Sequence, residues 1–292
     1  FLTYQILSGN DAERFTIDAA SGQISVAKAE LDYEDTPQYT LVVEVVDSGH
    51  NHLKDTASIT IDILDVNERP TVVEATMTLA EDEVLGQAVG TVVATDPEER
   101  DMVYKITAGD ENKVFAIDND GALTVRNPAI DFETQPVYSL TVQVTDAGDA
   151  TGGNKLTDSA TVVVQILNVN EPPSMTPFTR SVEENSGPGT AVGVRVFGDD
   201  VDVSTADAES LTYSLTNPDG SSFFAIDAAT GQITVDAAGL NFEAQSSYIV
   251  QVTATDTGGL SATAATTINI LDVNEAPTVT VPGVFAAHEQ AE

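Results

Sequence analysis

The chain has 292 residues, too many for one β-sandwich of about 100 residues, so we expect two or three domains and look first for repeats. The chain has 11 Lys and Arg and 47 Asp and Glu, which gives a formal net charge of -36. This charge excludes nucleic acid and anionic membranes as partners and favours a cationic partner. The chain has no cysteine, which excludes disulfides and thiolate sites, so any bound metal must be held by oxygen.

The first predicted element is a β-hairpin. In its first copy Phe15 and Ile17 share the core-facing side of a short strand, and Gly22 turns the chain into a second strand. The same pattern recurs at two later positions, which predicts three hairpins. Their residues are Phe15-Thr16-Ile17-Asp18 with Gly22, Phe115-Ala116-Ile117-Asp118 with Gly121, and Phe224-Ala225-Ile226-Asp227 with Gly231.

A short acidic motif follows each hairpin. In an extended conformation its Leu or Ile and its aromatic residue would share one side, while its two polar side chains would share the other. We therefore expect each motif to project two oxygen donors in the same direction. The three copies are Leu31-Asp32-Tyr33-Glu34, Ile130-Asp131-Phe132-Glu133 and Leu240-Asn241-Phe242-Glu243.

The next element is a strand rich in Val, Ile and Thr that runs into an aspartate near a glycine. No segment shows a sustained helical period, so the fold class is predicted to be all-β. The three strands cover residues 39–46, 138–145 and 248–255, and they lead into Asp47, Asp146 and Asp256.

A linker motif closes each repeat. Its copies begin at Asp65, Asn168 and Asp272, spaced by 103 and 104 residues (168 − 65 and 272 − 168), and each is followed by a proline that ends a strand. Because this period is the size of one sandwich, each linker marks a predicted domain boundary. The predicted domains are 1–68, a repeat lacking its first strands, 69–171 and 172–275, both complete, and 276–292, the first strand of a further repeat.

Together these motifs resemble the cadherin family, and specifically the cadherin-like repeats of large secreted bacterial surface proteins, whose linkers often read Asp-Val-Asn-Glu shortly before a proline. Four motifs in the same order at domain-sized spacing carry the resemblance over essentially the whole chain. It implies tandem Greek-key β-sandwich repeats, cadherin-like and immunoglobulin-like, arranged as a rod. It also implies calcium at each junction, held by the upstream repeat, the linker and the downstream repeat.

Carried over residue by residue, the resemblance implies ligands at three junctions. The ligands at the first junction would be Asp32, Glu34, Asp65, Asn67, Glu68, Asp96, Glu98 and Asp146. The ligands at the second would be Glu81, Asp131, Glu133, Asn168, Asn170, Glu171, Asp256 and either Asp199 or the pair Asp200 and Asp202. The ligands at the third would be Glu184, Asn241, Glu243, Asp272, Asn274 and Glu275.

The chemistry of the first junction supports a metal rather than a merely acidic surface. Seven of its residues are carboxylates, and each pair about 6 Å apart would repel by roughly 2 to 3 kcal/mol at an effective dielectric near 20. Calcium takes six to eight hard oxygens in flexible geometry, whereas zinc and copper prefer nitrogen or sulfur.

Asn168 and Asn241 replace carboxylates, so we expect weaker binding at the second and third junctions. Glu68, Glu171 and Glu275 replace the aspartate of animal cadherin linkers, which leaves the number of ions open.

An enzyme is not expected, because the three histidines form no pattern with a serine or an acid that suggests a triad, and no Trp is present to line a sugar cleft.

We predict a calcium-rigidified extender of a bacterial cell-surface adhesin or biofilm matrix protein, extracellular or secreted. The alternative is a repeat that itself binds a polysaccharide or makes homophilic cell-cell contacts. The expected partners are calcium ions and neighbouring repeats of the same chain, with no nucleic acid. No apolar run approaches the roughly 18 residues of a membrane span, and the start at Phe1 suggests an internal segment.

Overall fold

The computed structural model describes residues 1–149, 151–204, 211–279 and 283, and it divides the chain into two compact units, 1–168 and 169–292. In the described part every regular element is a β-strand except one 3₁₀ turn, Val201–Ser204. The all-β prediction is confirmed. Most of the predicted segment 276–292 lies outside the described residues.

The first repeat contributes five strands to unit 1. They are β1 (Leu2–Ser8), β2 (Phe15–Ile17), β3 (Ile24–Val26), β4 (Gln38–Asp47) and β5 (Lys54–Asp62). One antiparallel sheet has the order β1-β4-β5, and β2 pairs with β3 as the predicted hairpin. Among the described residues of this repeat, the buried apolar side chains are Phe15 and Leu41.

The second repeat completes unit 1 with nine strands. They are β6 (Thr71–Val72), β7 (Ala75–Ala80), β8 (Ala88–Thr91), β9 (Ala94–Thr95), β10 (Val103–Ala108), β11 (Phe115–Ile117), β12 (Ala122–Val125), β13 (Val137–Thr145) and β14 (Thr157–Leu167). One sheet has the order β10-β13-β14-β7, a second has the order β11-β12-β8, and β6 pairs with β9. Strand β7 runs parallel to β14, which closes that edge of the sheet.

The core of the second repeat lies between these sheets, because alternate residues of each strand point inward. Along β13 the buried side chains include Leu140 and Val142, and along β14 they include Val162 and Val164. The facing sheet contributes Leu123 among others. Side chains at the intervening positions are more exposed, so the period of two in the sequence specifies which face is buried.

Unit 2 holds the third repeat. Its strands are β15 (Phe178–Glu183), β16 (Thr212–Thr216), β17 (Phe224–Ile226), β18 (Ile233–Val235), β19 (Ser247–Thr255) and β20 (Ser261–Leu271). One sheet has the order β15-β20-β19-β16 with β15 parallel to β20, and β17 pairs with β18 as the predicted hairpin. The core contains Val192, Ile233, Leu240 and Ile268.

The phenylalanine of each hairpin packs on the tyrosine of the following long strand. The ring centroids are 5.1 Å apart for the first two pairs and 5.4 Å apart for the third, always with the edge of one ring on the face of the other. Such pairs contribute about 0.5 to 1.5 kcal/mol beyond the area they bury. The pairs are Phe15 with Tyr39, Phe115 with Tyr138, and Phe224 with Tyr248.

Candidate metal centre

The acidic motif after each hairpin is a turn, so the predicted extended conformation is wrong. In the second repeat the backbone N–H of Gln135 donates to the carbonyl of Asp131 at 2.9 Å, and the Asp131 carboxylate accepts from the N–H of Thr134 at 2.9 Å. A short polar side chain stabilises this turn by standing in for a backbone partner. The turn nevertheless brings the oxygen donors together, because one oxygen each of Asp131, Glu133 and Glu81 lie within 4.8 Å of one another.

A buried glutamate anchors the acidic turn in the second and third repeats. Glu81, at the end of β7, accepts a hydrogen bond from the N–H of Phe132 at 2.7 Å. Glu184, after β15, accepts from the N–H of Phe242 at 3.0 Å and from that of Val273 at 2.8 Å. The Val273 N–H, together with that of Phe242, lowers the pKa of Glu184, so this side chain is ionised.

In the third repeat the structure brings together one oxygen each of Glu184, Glu243 and Asp272, within 4.8 Å of one another. Asn241 uses its side-chain carbonyl to accept from the N–H of Ala244 at 2.7 Å, so that oxygen stabilises its own turn. Asn274 and Glu275 of the linker are exposed, and Glu275 accepts from the side chain of Asn185 at 2.8 Å.

Among the described residues of unit 1, the largest carboxylate group lies where the first repeat meets the second. One oxygen each of Glu34, Asp65, Glu68 and Glu98 lie within 4.8 Å of one another. Glu34 comes from the acidic turn, Asp65 and Glu68 from the linker, and Glu98 from the second repeat, so three separate segments supply it. The backbone N–H of Glu68 donates to Glu98 at 2.7 Å and fixes the linker against the second repeat.

Asp146 and Asn67 form the buried support of this region. Asp146 is 2% exposed and accepts hydrogen bonds from the backbone N–H groups of Gly148 and Leu156, both at 2.9 Å. The side-chain N–H of Asn67 donates to the other oxygen of Asp146 at 2.9 Å. Asn67 belongs to the linker, and Asp146 follows β13 of the second repeat, 79 residues later. The hydrogen bond between them therefore fixes the linker against the second repeat.

Asp96 has no such support. It is 8% exposed, and within the described residues neither of its carboxylate oxygens has a hydrogen-bond partner. Burial raises the pKa of Asp96, and the neighbouring Glu98 carboxylate raises it further. A buried carboxylate without donors is costly unless a cation or a proton neutralises it. Asp32, by contrast, is exposed and accepts from the N–H of Asp35 at 2.9 Å within its own turn.

Glu68 has the most strongly shifted ionisation in the group. Desolvation raises the pKa of Glu68 to about 7, although the residue is partly exposed. The adjacent carboxylates of Glu98, Glu34 and Asp65 also raise this pKa. The carboxylates therefore hold a proton near neutral pH when no other cation is bound, and a metal ion must compete with that proton.

Arg100 also belongs to this region, and the sequence analysis did not predict it, although it named Asp96 and Glu98 just before it. Its guanidinium donates to Asp65 at 2.8 Å and also to the carbonyl of Gly148. The chain has only 11 basic residues, and Arg100 follows shortly after two predicted acidic ligands. This position could have indicated an ion pair with the site.

The residues assigned to the second junction belong to both units and are described within each. In unit 1 the Glu81 group is described above, and Asn168 is exposed. In unit 2 the side-chain N–H of Asn170 donates to Asp256 at 3.0 Å, as Asn67 does to Asp146. The N–H of Glu171 donates to Asp202 at 3.0 Å, as Glu68 does to Glu98.

Two alternatives were left open for this linker. The Asp200 carboxylate accepts from the N–H of Asp202 at 3.1 Å. The backbone of Asp199 forms a bridge with Ser174. The choice between Asp199 and the pair Asp200 and Asp202 stays a prediction.

The donor sets fit calcium. Two ligands at about 2.3 to 2.6 Å from one calcium ion lie at most about 4.6 to 5.2 Å apart, and the grouped oxygens are within 4.8 Å. Every donor is an oxygen, as calcium prefers. Among the described residues no helix is long and apolar enough to cross a membrane.

Comparison with known proteins identifies related chains. The chain is 32% identical over 286 residues to Cadherin-17 of Rattus norvegicus, covering 91% of this chain and 33% of that protein. It is 36% identical over 219 residues to Protocadherin Fat 4 of Mus musculus, covering 68% of this chain and 4% of that protein. The chain thus spans a third or less of the length of these relatives.

Solved structures show the same fold. A crystal structure of mouse Cadherin-23 EC22-24 aligns with a TM-score of 0.72 and 26% identity, covering 93% of this chain and 86% of that one. Protocadherin Gamma B2 extracellular cadherin domains 3-6 align with a TM-score of 0.68 and 25% identity, covering 93% and 66%. The family model described as Cadherin domain matches residues 2–64, 75–167 and 178–271. The chain therefore belongs to the cadherin domain family, as tandem repeats of that domain.

Proposed function

We propose that this chain is a calcium-binding stretch of extracellular repeats that acts as a calcium-stiffened extender of a cell-surface adhesin or matrix protein. One observation carries the proposal: four carboxylates from three segments of unit 1, Glu34, Asp65, Glu68 and Glu98, converge to within 4.8 Å. A bound cation in this position would tie the acidic turn of the first repeat to the linker and to the second repeat.

The electrostatics of the group explain why a cation would stiffen it. Two unit charges 4.8 Å apart repel by about 3 to 4 kcal/mol at an effective dielectric near 20, and the group contains several such pairs. Arg100 neutralises one of the four carboxylates, Asp65. The remaining repulsion favours separation of the segments unless protons or metal ions are bound.

Calcium would supply the missing positive charge and would be held by the four grouped carboxylates, with Asp96 as a further ligand. Because these ligands come from different segments, calcium would bind the docked arrangement and not the unfolded chain, and mass action would raise the melting temperature. The proposed role is mechanical and not enzymatic.

Calorimetric titration with calcium and melting curves in calcium and in chelator test this function. We expect Glu34→Ala to weaken calcium binding and to reduce the calcium-dependent rise in melting temperature. Glu111→Ala is the matched control, since Glu111 is exposed and lies outside the carboxylate groups. Equal effects of the two variants, or no binding by the unaltered chain, would contradict the proposal.

Small-angle scattering tests the extender role separately. If calcium stiffens the repeats, the maximum dimension should decrease or become more variable when a chelator removes the ion. An unchanged scattering profile would refute the extender while leaving calcium binding intact.

The setting of the parent protein is the finer part of the proposal. We propose an extracellular, bacterial surface location on the basis of the linker sequence, in which Glu68, Glu171 and Glu275 replace the aspartate of animal linkers. The relatives reported above are rat and mouse proteins, so the bacterial origin stays a prediction. The domain limits 1–68, 69–171, 172–275 and 276–292 also stay predictions.

Homophilic contact, the alternative function, stays a prediction, and analytical ultracentrifugation in millimolar calcium would test it by showing calcium-dependent dimers. Polysaccharide binding stays a prediction without a supporting contact, and a glycan array in calcium would test it.

A further inference from the structure

The two larger sheets of the second repeat leave a groove open between their edge strands. Strand β10 ends one sheet and β11 ends the other, and in the described part of the chain they pair only with β13 and β12, respectively. The groove has a volume of about 450 Å³, and its lining includes the apolar side chains of Ile106, Phe115 and Ile117. It therefore offers both a free strand edge and apolar surface to a ligand.

The hairpin turn beside this groove is one residue shorter than the turns of the other two repeats. The last pair before the turn joins Ile117 to Leu123 in the second repeat, whereas it joins Ile17 to Ile24 in the first. The third repeat has the same spacing as the first. The shorter turn of the second repeat consists of residues 118–121, and it changes which carbonyl groups can reach β10.

One backbone donor of β10 lacks the acceptor that the longer turns provide. The N–H of Tyr4 donates to the turn carbonyl of Ala19 at 3.0 Å, and that of Tyr213 donates to Ala228 at 2.9 Å. Tyr104 has the same register on its neighbouring strand as these two tyrosines, but among the described residues its N–H makes no corresponding bond. Tyr104 is buried, and a buried backbone donor needs an acceptor, which a ligand carbonyl can supply.

Three cations line the same groove. Lys105 belongs to β10, Lys113 precedes β11 and Arg126 follows β12. All three are exposed, and none of them forms an ion pair within the described residues, although the chain contains 47 acidic residues. Three of only 11 basic residues thus gather at one groove without an ion-pair partner.

The other repeats lack these cations. The equivalent positions follow from the tyrosine of the strand before each hairpin and from the paired Phe and Val of the hairpin itself. The residues there are Gln5, Glu13 and Ala27 in the first repeat and Ser214, Ser222 and Asp236 in the third. The three cations are therefore a property of the second repeat and not of the shared fold.

Two acidic residues also line the groove, but within the described residues neither forms an ion pair with the three cations. The Asp110 carboxylate accepts from the backbone N–H groups of Val114 at 2.7 Å and Phe115 at 3.2 Å. Glu111 is exposed. Basic side chains outnumber acidic ones by three to two along the groove, whereas the whole chain has 11 basic and 47 acidic residues.

We propose that this groove binds an extended acidic segment of a partner protein, which adds as a strand along β10. A carbonyl group of the segment accepts the hydrogen bond of the Tyr104 N–H, and further main-chain hydrogen bonds form along the free edge. Because alternate side chains of a strand share one side, acidic residues at every second position face the three cations. Docking of such a segment does not require calcium.

The groove fits a peptide from another protein better than it fits other anions. A sugar ring stacks on an exposed aromatic face, but the rings that border the groove, Tyr104 and Phe115, are only 9% and 2% exposed. A second copy of this chain has a net charge of -36 and is repelled as a whole by the first. The partner therefore carries its acidic residues in one segment and is less acidic elsewhere.

Selection from a library of displayed random peptides tests the specificity of the groove. The full chain is immobilised in chelator, so that calcium cannot bridge acidic groups of the peptide and the chain. Peptides that also bind a groove variant, which carries Lys105→Gln, Lys113→Gln and Arg126→Gln, are removed. We expect the remaining peptides to have Asp or Glu at alternate positions. A neutral or basic consensus, or no remaining peptide, would overturn the proposal.

Fluorescence anisotropy with one selected peptide measures the contribution of the three cations. The groove variant should bind at least about tenfold more weakly, because it loses three exposed ion pairs. A control variant also loses two Lys and one Arg, but from ion pairs of the first repeat, and it should bind as the unaltered chain does. Its substitutions are Arg14→Gln, Lys28→Gln and Lys54→Gln. Equal losses in both variants would indicate general electrostatics and would overturn the site.

A turn variant separates strand addition from attraction by charge. It replaces residues 118–121 with the longer turn of the third repeat, 227–231, which supplies an acceptor for the Tyr104 N–H and keeps the three cations. Its melting temperature should be unchanged, since the third repeat folds with this turn. Peptide binding should become about fivefold weaker, as expected for the loss of one hydrogen bond. Unchanged peptide binding would overturn the docking along β10.

Two further measurements test the other possible occupants of the groove. Polygalacturonate, an acidic polysaccharide, should not displace the peptide, and displacement would assign the groove to an anionic sugar and overturn the proposal. Sedimentation velocity of the unaltered chain and the groove variant should show the same oligomeric state in chelator. Association that only the unaltered chain shows would make a second copy the occupant, and it would likewise overturn the proposal.

Discussion

Arg100 places a fixed positive charge inside the candidate calcium site of unit 1, and its removal should strengthen calcium binding. The guanidinium donates to Asp65 at 2.8 Å, and the two side chains are 27% and 29% exposed. A calcium ion bound to Asp65 would have the guanidinium about 5 Å away, since the metal–oxygen distance is about 2.4 Å.

The size of the effect follows from Coulomb's law. A divalent ion and a unit positive charge about 5 Å apart repel by about 1.7 kcal/mol at the dielectric of water, and by more at a lower one. The value in water is the lower limit, since the partly buried site has a lower effective dielectric. Arg100→Gln should therefore tighten calcium binding by at least about tenfold.

Isothermal titration calorimetry at low and high ionic strength measures this change. Salt screens exposed charges, so the gain should shrink as ionic strength rises. Arg126→Gln is the control, because Arg126 is exposed and lies outside the carboxylate groups. In chelator Arg100→Gln should lower the melting temperature, since Asp65 and the Gly148 carbonyl lose their donor. Weaker or unchanged calcium binding by Arg100→Gln would refute the reasoning.

Three further predictions concern the second linker, the protonation of Glu68 and the core of the second repeat. Asn168→Asp should raise calcium affinity at the second junction by adding ligand charge, whereas Asn127→Asp, a comparable change outside the motifs, should not, as calorimetry will show. The pKa of Glu68 is raised from 4.5 to about 7, so the folded state binds more protons than the unfolded state between these pH values. In chelator the melting temperature should therefore fall as pH rises from about 5.5 to about 8. Glu68→Gln should reduce this pH dependence. Leu140→Ala should cost about 2 to 5 kcal/mol in urea denaturation because Leu140 is fully buried, and a cost below about 1 kcal/mol would contradict the core described here.

The hairpins and their inward-facing residues could be predicted because their signals are local. A period of two and a turn glycine are enough to place Phe115 and Ile117, and β11 pairs with β12 as expected. The acidic turns could not be predicted this way. Their Asp and aromatic residues alternate as in a strand, but the Asp131 carboxylate hydrogen-bonds to Thr134 three residues later, and this local bond favours a turn.

The sequence predicts which residues form the candidate site, and that ligand set stays a prediction, but the sequence does not predict the contacts among these residues. The linker pattern marked Asn67 as a ligand, yet nothing local indicates that its N–H donates to Asp146, 79 residues away. The pairing of Arg100 with Asp65 spans 35 residues and depends on how the linker packs against the second repeat. Such contacts arise from tertiary structure, which a repeating motif does not encode.

Two buried aspartates of unit 1 differ in whether their charge needs a bound cation. Asp146 receives hydrogen bonds from two backbone N–H groups and from Asn67, so its charge is stabilised by the protein alone. Asp96 has no hydrogen-bond partner among the described residues, so its charge needs a proton or a metal ion. If calcium binds here as proposed, chelation would act on Asp96 and the carboxylates around Glu68, while the network of Asp146 would persist. It follows that loss of calcium should release the linkage between the first and second repeats without unfolding the sandwich to which Asp146 belongs.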